Sequence, residues 1–373
     1  MIIRRALVYG ENREFEKNDI YVINDRFVTK EDYEKIKGDG EDDEIVDGHG
    51  LYAIPGLIDI HFHGAMGYDI CDGTREAYEK VAAYEAANGI TAICPATLTL
   101  SVDELENVLS IGAAFAEENK NGALADLVGF NMEGPFISHS KKGAQNENFI
   151  RPCNMEDTDK FVKASKGLVK IIGLAPEENP GFEDFISRAK NMVRISLAHS
   201  NANYDVATKA IRAGASHGVH LYNAMSPLQH RSPGLVGATF DHQQIKASII
   251  ADGYHVDYPA VRIAKKIMQQ RLFAITDAVT TTTEGYYQHQ PEGEKYTAGN
   301  ILSGSALTMY KALQNLVKHV GIETGEALRM CSLYPAQVMQ MDDQLGRIAP
   351  GYKAKMVLLP ELLDNTDELR MIS

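Results

Sequence analysis

Between residues 53 and 342 the chain repeats one pattern: a short apolar run, then a longer segment with helical spacing. The apolar runs end near His61, Pro95, Glu133, Leu174, His199, His220, Asp252 and Asp277. The segments 75–88, 102–119, 182–192, 205–213 and 260–270 place their apolar residues on one helical face. About eight strand-then-helix units in succession predict an α/β fold, a (β/α)8 barrel. In such a barrel the C-terminal ends of the strands form the functional rim, so residues that close the apolar runs are the ones to inspect.

The two ends of the chain read differently. Residues 1–52 hold short β-type runs, Ile20-Tyr21-Val22-Ile23 and Glu44-Ile45-Val46-Asp47, separated by a charged insert at 30–43. That insert reads as a solvated loop or a short exposed helix. Residues 343–373 return to the β style with Lys355-Met356-Val357-Leu358-Leu359. The two ends are expected to form one small composite β-sandwich, leaving 53–342 as the barrel. The run 53–60 reads as a single buried strand leading into the rim.

Bulk properties exclude several classes of function. With 37 basic against 51 acidic side chains, the formal charge is −14, opposite to what phosphate-neutralising nucleic-acid binding needs. Any anionic substrate must therefore find a local basic pocket within an unfavourable overall field. No apolar run is long enough to cross a bilayer, and the first ten residues turn polar too early for a signal-peptide core. Cys71, Cys94, Cys153 and Cys331 are scattered and predict reduced thiols rather than a disulfide framework. A cytoplasmic protein is expected.

The residues that close the apolar runs share one chemistry. His61 and His63 are two apart on a strand, so both imidazoles project from one face. Glu133 precedes Gly134-Pro135, His199 follows an apolar run at 194–198, His220 follows 215–219, and Asp277 closes 271–276. Any one of these is as readily a core histidine or a turn carboxylate. Together, at successive strand ends, they form a ligand set. Imidazole and carboxylate donors without thiolate suit a divalent ion used in hydrolysis, zinc first, with iron, cobalt or manganese as alternatives. Asp59 shares a face with His61 and is expected to orient a ligand by accepting a hydrogen bond. His217, three residues before His220, falls on the other face and reads as structural.

These residues sit in motifs that resemble the amidohydrolase superfamily and, within it, the N-acetylglucosamine-6-phosphate deacetylases. The motifs are Pro55-Gly56-Leu57-Ile58-Asp59-Ile60-His61-Phe62-His63-Gly64, Met132-Glu133-Gly134-Pro135-Phe136, Lys142-Gly143-Ala144, Ala198-His199-Ser200 and His220-Leu221-Tyr222-Asn223-Ala224-Met225. Further on come Ile250-Ala251-Asp252-Gly253-Tyr254-His255, Thr276-Asp277-Ala278 and Leu302-Ser303-Gly304-Ser305. The resemblance covers nearly the whole chain. It implies a homodimer that deacetylates N-acetyl-D-glucosamine 6-phosphate.

By the resemblance, Glu133, His199 and His220 bind one metal ion, while His61 and His63, helped by Asp277, hold a second that only some members keep. Asp277 would take a proton from the attacking water and deliver it to the departing amine. Arg231 would reach the phosphate across the dimer interface, a task that a guanidinium fork suits. Asn223 and the Ala224 amide would complete the phosphate cradle, and His255 would contact the sugar. Ala144, Gln145, Leu302, Ser303 and Gly304 would line the substrate site. Many relatives carry histidine where this chain has Gln145, which can donate a hydrogen bond but cannot carry charge. Lys355, where many relatives place Asp, reads as surface drift.

Three other readings compete. One keeps the chemistry and changes the substrate to another N-acetylated hexosamine phosphate. A ring-opening amidohydrolase would carry a lysine at the tip of the fourth strand, yet that strand ends Ile171-Ile172-Gly173-Leu174-Ala175-Pro176. A non-catalytic sugar-phosphate sensor would have lost a ligand or the aspartate, and all are present.

Overall fold

Gly56 is where the chain passes from one sheet to another. In the computed structural model, which describes residues 1–37, 43–119, 123–282, 286–364 and 369–372, Tyr52–Pro55 pairs with Ile2–Tyr9 and Met356–Leu359. Leu57–Asp59 pairs instead with Ile90–Ile93. The run 53–60 is therefore two strands in two sheets. A Cβ at position 56 would come 2.1 Å from Thr91 Oγ1, so only glycine lets the backbone make this passage.

The barrel strands follow in order. They are Leu57–Asp59; Ile90–Ile93 continuing as Ala96–Thr97; Asp126–Leu127 continuing as Phe130–Phe136; Val169–Leu174; Arg194–Leu197; His217–Gly218; Lys246–Ile250; and Leu272–Ile275. Each pairs in parallel with the next. The ring closes at the rim, where Asp277 N donates to His61 O at 2.9 Å and His63 N to Ala278 O at 2.7 Å. The eight strand ends expected from the sequence are thus the eight staves observed, with Pro95, which has no N–H to give, interrupting the second.

Helices cover the outside. Val102–Glu118 buries Leu105, Val108, Leu109, Gly112, Ala113 and Phe115 at three- and four-residue spacing, and a Ser101–Glu104 capping box fixes its start. Among the described residues, no helix is long and apolar enough to cross a membrane.

The termini build a seven-stranded sheet. Ile2–Tyr9 is its spine: it pairs with Phe15–Ile23, breaking register between Ile3 and Ala6, while its first half also pairs with Ile45–Asp47 and its second with Tyr52–Pro55. Phe27 N donates to Tyr352 O and Ala354 N to Asp25 O, both at 2.9 Å, which draws Arg26–Val28 toward Met356–Leu359. The sheet bends over a core of its own, including Ile3, Ile20, Val22, Phe27, Met356 and Leu358. The charged insert forms a helix at Lys30–Ile36, and its residues 38–42 lie outside the described part, as do 365–368 and 373 near the other end.

Lys355 is not a surface residue. It is only 9% exposed, and its Nζ lies 3.1 Å from Asp126 Oδ2, an ion pair between the terminal sheet and the third stave.

Candidate metal centre and active site

The strand ends deliver six side chains to one point. Glu133 Oε1 lies 3.0 Å from His199 Nε2, 3.0 Å from His220 Nε2 and 3.2 Å from His61 Nε2. Asp277 Oδ1 lies 3.3 Å from the Nε2 of both His61 and His63. His63 Nε2 is 3.6 Å from Glu133 Oε2. Four histidines and Glu133 are buried, and two triads, His61–His63–Glu133 and Glu133–His199–His220, are compact enough to hold an ion.

Backbone geometry at the rim is unusual. His199, His220 and Asp277 adopt φ values of +45°, +36° and +52°. Such conformations cost a non-glycine residue roughly 1–3 kcal/mol and persist where the surroundings dictate them. Each turns its side chain off the end of a stave and into the barrel mouth.

The outer ring nitrogens fix the histidines. His63 Nδ1 meets Ala96 O at 3.1 Å, His199 Nδ1 meets Lys141 O at 2.8 Å, and His220 Nδ1 meets Asn223 O at 3.0 Å. A carbonyl oxygen only accepts, so these Nδ1 atoms carry the proton and each Nε2 keeps its lone pair for a cation. His61 differs, because its Nδ1 faces Asn131 Nδ2 at 3.0 Å. Asp59, expected to orient a ligand ring, instead accepts the His61 backbone N–H at 3.1 Å and the Thr276 hydroxyl at 2.5 Å.

Charge in the cluster is set by its members. Burial opposes ionisation of Glu133, but the adjacent His199 and His61 hold its carboxyl well below the usual range. Burial likewise opposes ionisation of Asp277, and the adjacent His61 and His63 hold it well below the usual range too. Burial disfavours a charged His61, yet Glu133 and Asp277 push its pKa up to about 10. Burial pushes His220 down, toward the neutral form that ligates. His63 and His199 are raised like His61, against the pull of burial. The two carboxylates therefore call for positive charge at this point. A divalent cation would supply it and displace those protons.

Above the cluster lies a cavity of about 370 Å3. Its walls include His63, Glu133, His199, His220 and Asp277, together with Ala144, Gln145, Asn223, Ala224, His255, Leu302, Ser303 and Gly304. His255 is braced by Asp252, whose Oδ2 lies 2.6 Å from its Nδ1. Gly304, at φ +146°, passes so close that a Cβ would lie 2.5 Å from Val279. Arg231 is not among these walls and is exposed on the 229–232 turn. His217 also stands apart, buried against the Phe273 ring, with burial pushing its pKa down to about 3.

Three residues that matter here do not stand out in the sequence. Asn131 lies two residues before Glu133 on the same strand, a spacing that could have flagged it. Lys141 lends its carbonyl to His199. His289 lines the cavity, holds Ser303 Oγ at 2.9 Å and leaves its buried Nε2 without a hydrogen bond among the described residues. Gln145 does stand out, and its amide proves to be engaged at both ends: Nε2 donates to Glu133 Oε2 at 2.5 Å, and Oε1 accepts from Thr99 N at 2.7 Å.

A sequence model of the amidohydrolase family matches residues 52–369. The chain belongs to the amidohydrolase family. An N-acetylgalactosamine-6-phosphate deacetylase of Escherichia coli O157:H7 is 31% identical to it over 313 residues, covering 82% of each chain. An N-acetylglucosamine-6-phosphate deacetylase of Vibrio furnissii is 32% identical over 312 residues, covering 82% of this chain and 78% of that one. The crystal structure of N-acetylglucosamine-6-phosphate deacetylase from Pasteurella multocida matches with a TM-score of 0.87 at 28% identity, over 100% of this chain and 99% of the other. In this amidohydrolase the buried cluster at the barrel mouth is able to hold a metal ion.

Proposed function

We propose that this amidohydrolase removes the acetyl group from N-acetyl-D-glucosamine 6-phosphate, giving D-glucosamine 6-phosphate and acetate. The observation that carries the reading is the convergence of Glu133, His63, His199, His220 and Asp277 on the floor of one cavity, with His61 against Glu133 and Asp277, in a chain whose relatives include deacetylases of acetylated hexosamine phosphates. Glu133, His199 and His220 would hold a divalent ion, Zn2+ before Fe2+, Co2+ or Mn2+. Such an ion supplies a Lewis acid that polarises the acetamide carbonyl and lets water give up a proton near neutral pH.

Asp277 is the proton carrier in this scheme. Its carboxylate stays ionised at neutral pH, lines the cavity and stands beside the cluster. It accepts the proton that water loses on attacking the carbonyl carbon. It then returns that proton to the amide nitrogen as the C–N bond breaks, because an unprotonated amine is a poor leaving group. His255, held by Asp252, would meet a sugar hydroxyl. Asn223 and the Ala224 amide would receive the phosphate on the far wall.

Arg231 completes the phosphate site in this reading. It is exposed and outside its own subunit's cavity, which is what a residue supplied to a second copy would show. A homodimer is therefore part of the proposal. So is a cytoplasmic setting, supported by four cysteines that form no disulfide.

A second reading comes from the Escherichia coli relative: the substrate could be the galacto epimer, which differs only at one sugar hydroxyl. Release of free amine from each epimer separates them. We expect the larger kcat/KM on N-acetyl-D-glucosamine 6-phosphate. The reverse order would transfer the assignment to the galactosamine phosphate, and no amine from either would sink both.

A further inference from the structure

A second cavity opens at the other end of the barrel. Its volume is about 620 Å3, against about 370 Å3 for the one over the metal centre. Its walls come from the starts of staves rather than their ends: Asp126 and Leu127 open the third, Lys170 lies near the start of the fourth, and Arg194 opens the fifth. Met339, Gln340 and Met341, where the helix Leu333–Met339 ends, close another side, together with Lys353 just before the strand Met356–Leu359.

The charge on these walls is the reverse of the chain's. Five cations line the cavity, Lys166, Lys170, Lys190, Arg194 and Lys353, against two acids, Glu117 and Asp126. Both acids are taken. Lys166 Nζ lies 2.6 Å from Glu117 Oε2, and Lys355 Nζ lies 3.1 Å from Asp126 Oδ2. The other four cations have no ion-pair partner among the described residues. Lys170 Nζ donates only to Gly167 O, at 2.9 Å, and Lys190 Nζ only to Ala213 O, at 3.0 Å. Arg194 is half-buried, and burial lowers its pKa with no carboxylate beside it to oppose the shift. Like charges gathered round one hollow repel each other, so packing gives no reason to collect them; an anion set among them removes the repulsion.

The cavity also has an apolar side. Leu168, Val193, Met339 and Met341 line it with Met192, which is exposed although large and apolar. Thioethers on flexible stems adapt to the shape of an organic group. The volume falls within the range of sites that enclose a small organic ligand. Inorganic phosphate would use the cations and leave this side against water.

We propose that this end of the barrel binds an organic diphosphate, its phosphoryl oxygens on Arg194, Lys170, Lys190 and Lys353 and its organic body against the methionines. The guanidinium fork takes two oxygens of one phosphoryl group, and the lysines supply point charges to the rest. The site is separate from the metal centre, and its occupancy does not depend on the reaction there.

The probe is magnesium-free ADP, titrated into the untagged full chain by calorimetry in about 0.15 M salt, where long-range attraction between exposed charges is largely screened. We expect saturable binding, weakened at least about 10-fold in Arg194→Gln/Lys353→Gln, as loss of hydrogen bonds from charged donors implies. Pyrophosphate, which carries the charge without the organic body, should bind more weakly than ADP. No binding at millimolar ADP would overturn the proposal. So would equal binding to wild type and variant, the result expected if ADP were held at the barrel mouth instead. Pyrophosphate binding as tightly as ADP would overturn the part given to the methionines. Should the variant not fold, photolabelling of wild type with 8-azido-ADP decides: label on residues 166–194 or 339–353 supports the site, and label confined to the mouth refutes it.

Discussion

Asp277 carries the chemistry at the scale of a single residue, and its backbone makes it testable. At φ +52° it occupies the left-handed region, which Asn tolerates nearly as well as Asp. Asp277→Asn therefore keeps the geometry while removing the proton acceptor. We expect kcat to fall by about 10^2- to 10^4-fold, the usual worth of a general base, with zinc content and substrate affinity retained. Acetate release and titration calorimetry measure the two halves, and a near-normal kcat would refute the role. The six residues of the cluster were legible in the sequence because each ends an apolar run, and a strand end dictates where its side chain emerges. What Asn131 and Gln145 do was not legible. Their roles depend on which end of an amide faces a ring nitrogen or a carboxylate oxygen contributed by another strand, and no local pattern records that. His289 escaped for a related reason: it lies between strands, in a polar stretch without periodicity.

The helix Arg75–Ala87 contains a feature whose cost depends on pH. It starts from a Thr74 cap and buries Ala77, Tyr78, Val81, Ala82 and Ala86, the stripe its spacing predicts. It also buries Glu85, whose pKa is raised well above the usual value, first by desolvation and then by the charge of Asp59. Folded chains therefore hold this proton at a pH where unfolded chains have lost it. The sign follows from linkage. Stability is unaffected below the unfolded pKa of about 4.3, then falls by about 1.4 kcal/mol for each pH step of one as pH climbs toward the folded pKa. Glu85→Gln should flatten that fall, giving a higher Tm than wild type at pH 8 and a similar one at pH 4. Equal Tm differences at both pH values would show that Glu85 does not titrate as the structure requires. At this scale the expected helices appeared within a few residues of their observed ends, because amphipathic spacing survives burial on one side. The sheet of Gln290–Glu292, Lys295–Ala298 and Ile301–Ser305 over the barrel mouth was not foreseen. Its first strand is fully exposed and its second half-buried throughout, so the two-residue alternation that marks a strand is missing.

For the molecule as a whole, the −14 charge and the proposed phosphate substrate pull in opposite directions, so a few cations must act locally. Lys355 is not available for this, since it is engaged by Asp126, joining the terminal sheet to the barrel. Arg231 is available. Arg231→Ala should lower kcat/KM on the phosphorylated sugar by about 10- to 100-fold, in line with roughly 1.5–3 kcal/mol for a charged hydrogen bond, and leave unphosphorylated N-acetylglucosamine nearly unaffected. If the arginine serves the other subunit, a mixing experiment makes the geometry visible. Arg231→Ala subunits keep Asp277, and Asp277→Asn subunits keep Arg231. A mixed dimer then contains one site with both residues intact, so unfolding and refolding the two variants together should restore activity that neither shows alone. Were Arg231 to act within its own subunit, every site in the mixture would lack one of the two residues. The mixture would then be no more active than the average of its parts, and the dimeric active site would have to be abandoned.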